Sequence, residues 1–155
     1  MIIRRANLND IHSINRLMYQ ISQTHAKIRP DIFVANAKKY SDGELAELIE
    51  DFNRPCFVAV NEQGEVVGYV FCEGQKKRST IQKPIKTLYI ENFCVDKNAR
   101  RQGVGTELYA YVKRFARAEK FYNVTLKVWT NNDGAVKFYE NLGMKPQQLT
   151  MEEIL

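Results

Sequence analysis

The chain has 155 residues, a net charge of +5, and 45% hydrophobic and 26% charged side chains. That length and balance suit one globular domain over residues 1–155, able to bury a core without disulfide or metal staples, and exclude a disordered or collagen-like chain. Cys56, Cys72 and Cys94 lie far apart in apolar stretches with no Cys-x-x-Cys pair, and no apolar run approaches the roughly 18 residues of a membrane span. No zinc site, disulfide framework, secretion signal or membrane anchor is signalled, and a reducing, cytoplasmic setting is expected.

Residues 2–5 predict a short first strand, and Asn7 or Asn9 caps a helix carrying Ile11, Ile14, Leu17, Met18 and Ile21 at helical spacing. Pro30 breaks any continuous helix through 24–40. A Ser-x-x-Glu box then opens a second helix over 41–52, with Leu45, Leu48, Ile49 and Phe52 on its apolar side. Pro55 introduces a hairpin of strands 56–60 and 66–72 around the polar turn at 61–64. Residues 86–95 are rich in β-branched and aromatic side chains and predict a strand. A helix follows with Val104, Leu108, Val112 and Phe115, then a strand at 124–129 and a helix at 133–142 stopped by Gly143. A last strand is expected at 147–154. This order, without linker or repeat, predicts a single mixed α/β sheet.

Charge is concentrated around one turn. Between Asp96 and Lys120 stand seven bases and three acids, clustered about Arg100-Arg101-Gln102-Gly103-Val104-Gly105. A nucleic-acid binder would more often spread a basic stripe with interleaved aromatics over more of the domain. A strand, a glycine-rich turn and an amphipathic helix make an anion site, because free N–H groups at a helix start carry partial positive charge and glycines admit a phosphate. Flanking arginines add charge-assisted hydrogen bonds. A plain strand-to-helix turn is the alternative. The Rossmann fingerprint fails at Leu108, where it requires a third glycine, and the Gly-Lys-Ser/Thr of a Walker A loop is missing.

Arg100, Gly103 and Gly105 meet the pattern Arg/Gln-x-x-Gly-x-Gly/Ala. Upstream stands Tyr89-Ile90-Glu91-Asn92-Phe93-Cys94-Val95, and downstream Asn132-Asp133-Gly134-Ala135-Val136-Lys137-Phe138-Tyr139-Glu140-Asn141-Leu142-Gly143. In this order, over residues 86–144, the three motifs resemble the GNAT superfamily of N-acetyltransferases. The resemblance implies a central, mostly antiparallel twisted sheet of six to seven strands flanked by about four helices. It also implies acetyl-coenzyme A as co-substrate, without a metal, and acetyl transfer to a primary amine by direct attack in a ternary complex. By the same resemblance Phe93, Cys94 and Val95 pair with the pantetheine arm through their backbone. The amides of Arg101, Gln102, Gly103, Val104, Gly105 and Thr106 hold the pyrophosphate, Arg100 opens the same co-substrate-binding loop, and Asn132 also contacts the co-substrate. A non-catalytic acyl-coenzyme A binding module that regulates a partner is the other reading of the same turn. A homodimer is compatible with either; nucleic acid and membrane partners are not expected.

One feature of the residues supports an open slot. Leu88 and Ile90 are even-numbered whereas Phe93 and Val95 are odd, as though one residue were inserted near Glu91 or Asn92, the signature of a β-bulge. A strand buried on both faces gives the same apolar run without a bulge.

Amine acetylation needs a neutral nitrogen, whereas a lysine-like amine titrates near pKa ~10.4. Glu91, the one acid inside the run 88–95, is the candidate base, with burial expected to raise its pKa; spermidine/spermine-type acetyltransferases are similar in carrying a Glu at this spacing. A salt-bridged Glu is the structural alternative. Tyr139 stands where the resemblance places the acid that protonates the leaving thiolate. His12 and His25 have no partner at ligand or triad spacing and are expected to be surface or satisfied residues. The stretch 41–52 holds Asp42, Glu44, Glu47, Glu50 and Asp51 without a base. It forms either a solvated helix face or an acidic wall that would concentrate a cationic acceptor.

Overall fold

A computed structural model describes all residues, 1–155. The chain runs β1 (Ile2–Arg5), α1 (Ile11–Ile28), α2 (Asp42–Glu50), β2 (Cys56–Val60), β3 (Val66–Lys76), β4 (Lys86–Val95), α3 (Val104–Ala118), β5 (Asn123–Leu126) and α4 (Asp133–Asn141). Both expected helix starts form. Asn7 and Asp10 make a reciprocal capping box on a short 3-10 turn that leads into α1, and Ser41 and Glu44 make another on α2. Arg4 then grips the buried Asp10 at 2.7 and 2.9 Å, fixing α1 to the first strand.

The five strands lie in sequence order in one sheet. The pairings β1–β2, β2–β3 and β3–β4 are antiparallel, while β4–β5 is parallel and therefore requires the crossover that α3 provides. Helices cover both faces. Ile14, Leu17 and Met18 of α1 and Leu45 and Ile49 of α2 pack on Val58, Tyr69 and Phe71. On the other face, Leu108, Val112 and Ala116 of α3 pack on Phe57, Val70, Leu88 and Ile90. Each such side chain taken from water contributes roughly 1.5–3 kcal/mol, the main term holding the layers together.

The mixed, mostly antiparallel sheet and four helices agree with expectation, but the strand count is five, not six to seven. The strand expected over 147–154 does not form; Leu149, Met151 and Ile154 are exposed. Pro146 offers no N–H for a ladder, and Glu152 is drawn instead to Arg29 at 2.9 Å. The last strand also stops short, at Leu126 rather than residue 129, where its pairing with β4 ends. No helix is long and apolar enough to cross a membrane.

Candidate active site

The slot begins at a fault in β4. Ile90 pairs with Cys72 and Asn92 with Phe71, so Glu91 is left without a partner in β3. Of the two readings the parity change left open, the structure has the bulge: Leu88, Ile90, Phe93 and Val95 all face the α3 side of the sheet. The parallel pairing with β5 ends at Ile90 and Leu126, one residue before the bulge. From Glu91 onward β4 has a free edge. Asp96 donates its N–H to Val67 in β3 at 2.8 Å, and by alternation Asn92 and Cys94 also turn toward β3. Phe93 and Val95 therefore present their N–H and C=O groups to the gap. Cys94 faces away: its Sγ donates to the carbonyl of Leu17 at 3.4 Å and burial pushes its thiol up to about 12, a poor nucleophile for a covalent relay.

At the wide end of the gap lies the start of α3. Asp96 is held by Arg16 and accepts the Asn98 N–H, while Arg100 Nε donates to the Val95 carbonyl at 3.3 Å and Gln102 to that of Asn98 at 3.2 Å. Arg101 and Gly103 both take left-handed conformations, with φ of 63° and 80°. Gly103 is the N-cap and no side chain caps the helix, so the N–H groups of Val104, Gly105 and Thr106 have no acceptor within the protein's helix. Gly103 opens on free space, whereas a Cβ on Gly105 would meet the Phe138 ring at 2.8 and 3.1 Å. What Gly105 leaves to a ligand is its N–H; its missing side chain serves the packing of α4 on α3. Asn132 caps α4, accepting the Ala135 N–H at 3.3 Å, which leaves its amide nitrogen free.

Tyr139 packs on Phe93 and Phe138 at 6.2 and 5.2 Å between ring centres, at the free edge of β4. Burial, and then the nearby Cys94, push its hydroxyl up to about 12, and no protein hydrogen bond engages it. It is a protonated, unspent donor. Glu91 differs from expectation. Its carboxylate accepts from Tyr40 at 2.8 Å and Lys39 at 3.1 Å on one oxygen and from Arg54 at 2.9 Å on the other. Burial pushes its pKa up, but the Tyr40 hydroxyl and the two cations outweigh it and hold the group below the usual carboxylate range. The raised pKa expected from burial alone is thus overturned. Lys39, Tyr40 and Arg54 lie 52, 51 and 37 residues from Glu91, and nothing local in the sequence announces them.

Tyr40 and Arg54 also line a groove of about 340 Å³ whose other walls are Glu44, Glu47, Leu48 and Asp51. Of the acids noted in α2, Glu44 and Glu47 reach this groove and Asp51 joins them; Asp42 is spent on Lys38 and Asn15. The acidic groove and Glu91 are therefore neighbours.

The match to known proteins follows this geometry. The model of the acetyltransferase (GNAT) family matches residues 18–144. This chain belongs to the GNAT acetyltransferase family. It is 30% identical over 126 aligned residues to the probable N-acetyltransferase san of Drosophila melanogaster, covering 74% of this chain and 66% of that protein. Over 57 residues it is 37% identical to the GCN5-related N-acetyltransferase 6, chloroplastic, of Arabidopsis thaliana, covering 37% of this chain and 20% of that one. The chain thus spans less than two thirds of the length of either curated relative. Among solved structures, the BH1408 protein of Bacillus halodurans superposes with a TM-score of 0.96 at 29% identity, over 100% of this chain and 99% of that one. An aminoglycoside acetyltransferase from an uncultured soil metagenomic sample, in complex with sisomicin, shares the fold: its TM-score is 0.71 at 22% identity, over 99% of this chain and 95% of that one.

Proposed function

We propose that this GNAT protein moves the acetyl group of acetyl-coenzyme A to a primary amine by direct attack in a ternary complex. The observation that carries the reading is the pairing of a free β4 edge past the Glu91 bulge with an uncapped helix start at Gly103, along one slot. The residues present fit an extended amide chain ending in a diphosphate. Phe93 offers its N–H and C=O and Val95 its N–H to the amides of a pantetheine arm, the Val95 carbonyl already accepting from Arg100. The N–H groups of Gly103, Val104, Gly105 and Thr106, with Arg100, Arg101 and Gln102 at the rim, suit the pyrophosphate. Asn132 contributes its amide nitrogen. Cys94 contributes packing beneath the strand, its ladder bonds being directed to β3. Acetyl-coenzyme A supplies an activated thioester; the chain supplies position and protons.

Tyr139 protonates the departing sulfur, for which an unengaged phenol kept in its acid form is suited. Glu91, kept ionised by Tyr40, Lys39 and Arg54, is neutralised by those two cations and acts by fixing Tyr40 and Arg54 at the inner end of the acidic groove. Glu44, Glu47 and Asp51 in that groove favour an acceptor carrying a second positive charge, a polyamine being the simplest. The test is thiol release from acetyl-coenzyme A across a panel of cationic and neutral amines. Release with cationic amines and none with neutral ones supports the reading, and release with no amine at all overturns it.

A further inference from the structure

Resting on this acetyl-transfer reading, we propose that His25 takes the proton from the acceptor amine. Glu91 is poorly suited to that task, since three donors already occupy its oxygens. His25 lies on the sheet-facing stripe of α1. It follows Ile14 by eleven residues and Met18 by seven, which on a helix places it within roughly 20° of both, and those two are 0% and 2% exposed. Helix α1 spans the gap between the strands. At Leu17 it is bound to β4, where the carbonyl accepts from Cys94 Sγ; at Ile28 it is bound to the segment beyond β5, where the carbonyl accepts from Asn131 Nδ2 at 3.3 Å. The residues between those two anchors, Ile21 and His25 among them, therefore run from β4 toward the segment beyond β5 on the sheet face opposite α3.

At the position where helical spacing would continue the apolar stripe of Ile14 and Met18, the helix carries an imidazole. Its ring packs at 5.1 Å on Phe33, which lies edge-on to Trp129 at 5.8 Å, so aromatic walls shelter it on one side. The charged groups around it are Lys39, which reaches from the α1–α2 connection to Glu91, and Arg29, which lies over Trp129 and is neutralised by Asp31 and Glu152. No protein hydrogen bond engages the ring. Burial and then Lys39 lower its pKa, so it is neutral at pH 7 and has a lone pair to offer.

The protons balance as follows. The ammonium gives one proton to the imidazole, which passes it to solvent. The freed nitrogen forms the bond to the acetyl carbon as the carbon–sulfur bond breaks. The bonding pair leaves with sulfur, which takes the Tyr139 proton, and the surplus proton on the new amide nitrogen restores Tyr139. The sum is an N-acetyl amine, free thiol and one proton.

The experiment compares wild type, His25→Gln and His25→Ala at saturating polyamine between pH 5 and 9, alongside acetyl-coenzyme A affinity and melting temperature. The expected result is a fall in kcat of roughly 10²–10⁴-fold at neutral pH, with affinity and melting unchanged. The acid limb of the wild-type profile, which for a lowered histidine lies below the ordinary value near ~6.5, should vanish in both variants, and added imidazole should restore part of the His25→Ala rate. A limb that survives in His25→Gln, or wild-type turnover in that variant, overturns the assignment even if thiol release persists. Wild-type protein that releases no thiol with any amine brings down the acetyl-transfer reading itself, and this role with it.

Discussion

Gly105→Ala probes the contact that seats α4, and with it Tyr139, against the slot. The new Cβ would lie 2.8 and 3.1 Å from two carbons of the Phe138 ring and 3.5 Å from Val95. Carbon atoms rest about 3.5–4.0 Å apart, so the ring or its helix must retreat by roughly half an ångström or more. The ring has little room, because it packs on Phe93 at 5.8 Å and on Tyr139 at 5.2 Å. Overpacking of this kind costs about 1–3 kcal/mol, offset by up to about 1 kcal/mol of helix propensity gained by alanine. A net loss of about 1–2 kcal/mol corresponds to a melting temperature lower by roughly 2–8 °C in a domain of this size. Since Tyr139 rides on the displaced helix, kcat should fall more than acetyl-coenzyme A affinity. In a Phe138→Leu background the clashing ring carbons are gone, and Gly105→Ala should become neutral or stabilising. Equal losses in both backgrounds, measured by thermal melts in a double-mutant cycle, would refute the reasoning.

Tyr139→Phe removes a half-buried hydroxyl that bonds to no protein group, so it should leave the melting temperature unchanged or slightly higher while kcat drops and acetyl-coenzyme A affinity holds. With that hydroxyl near 12, wild-type activity should show no alkaline loss from it up to about pH 10. Changing Glu44 and Glu47 to Gln and Asp51 to Asn keeps the capping bonds of Glu44 and Asp51, and should raise the Michaelis constant for a polyamine and flatten its salt dependence without altering acetyl-coenzyme A binding. Asp10, Asp96 and Glu91 all have pKa values lowered in the folded protein by their arginine or Tyr40 and Lys39 partners, against burial that opposes the shift. Their stabilisation is therefore full above the unfolded range near ~4 and is lost as pH falls through the lower folded values; urea midpoints should drop steeply below about pH 4, and less so in Asp96→Asn.

Local chemistry made much of this legible. The capping residues Asn7 and Ser41, the glycine turn and the parity change across Glu91 each express a local rule, and each is seen in the structure. What stayed hidden depended on distant partners. The environment of Glu91 comes from Lys39, Tyr40 and Arg54, and reading its burial without them gave the wrong direction of shift. Gly105 looked like a phosphate glycine because Phe138 is distant in sequence. His25 offered only one signal, its place seven residues after Met18 on the buried stripe, and that gains meaning only once the strands beneath are known to part. The 147–154 run forms no strand although the open sheet has edges to offer, so composition alone overpredicted it.

Acetyl transfer is tested most directly by following thiol release and N-acetyl product together, with purified protein, acetyl-coenzyme A and a polyamine. Equal amounts of thiol and acetylated amine, both abolished by Gly103→Val through strain at its φ of 80° and a side chain in the open space before the helix, are the predicted result. Tight binding of acetyl-coenzyme A with no acetylated amine across the panel would contradict it and leave a binding module in place of an enzyme.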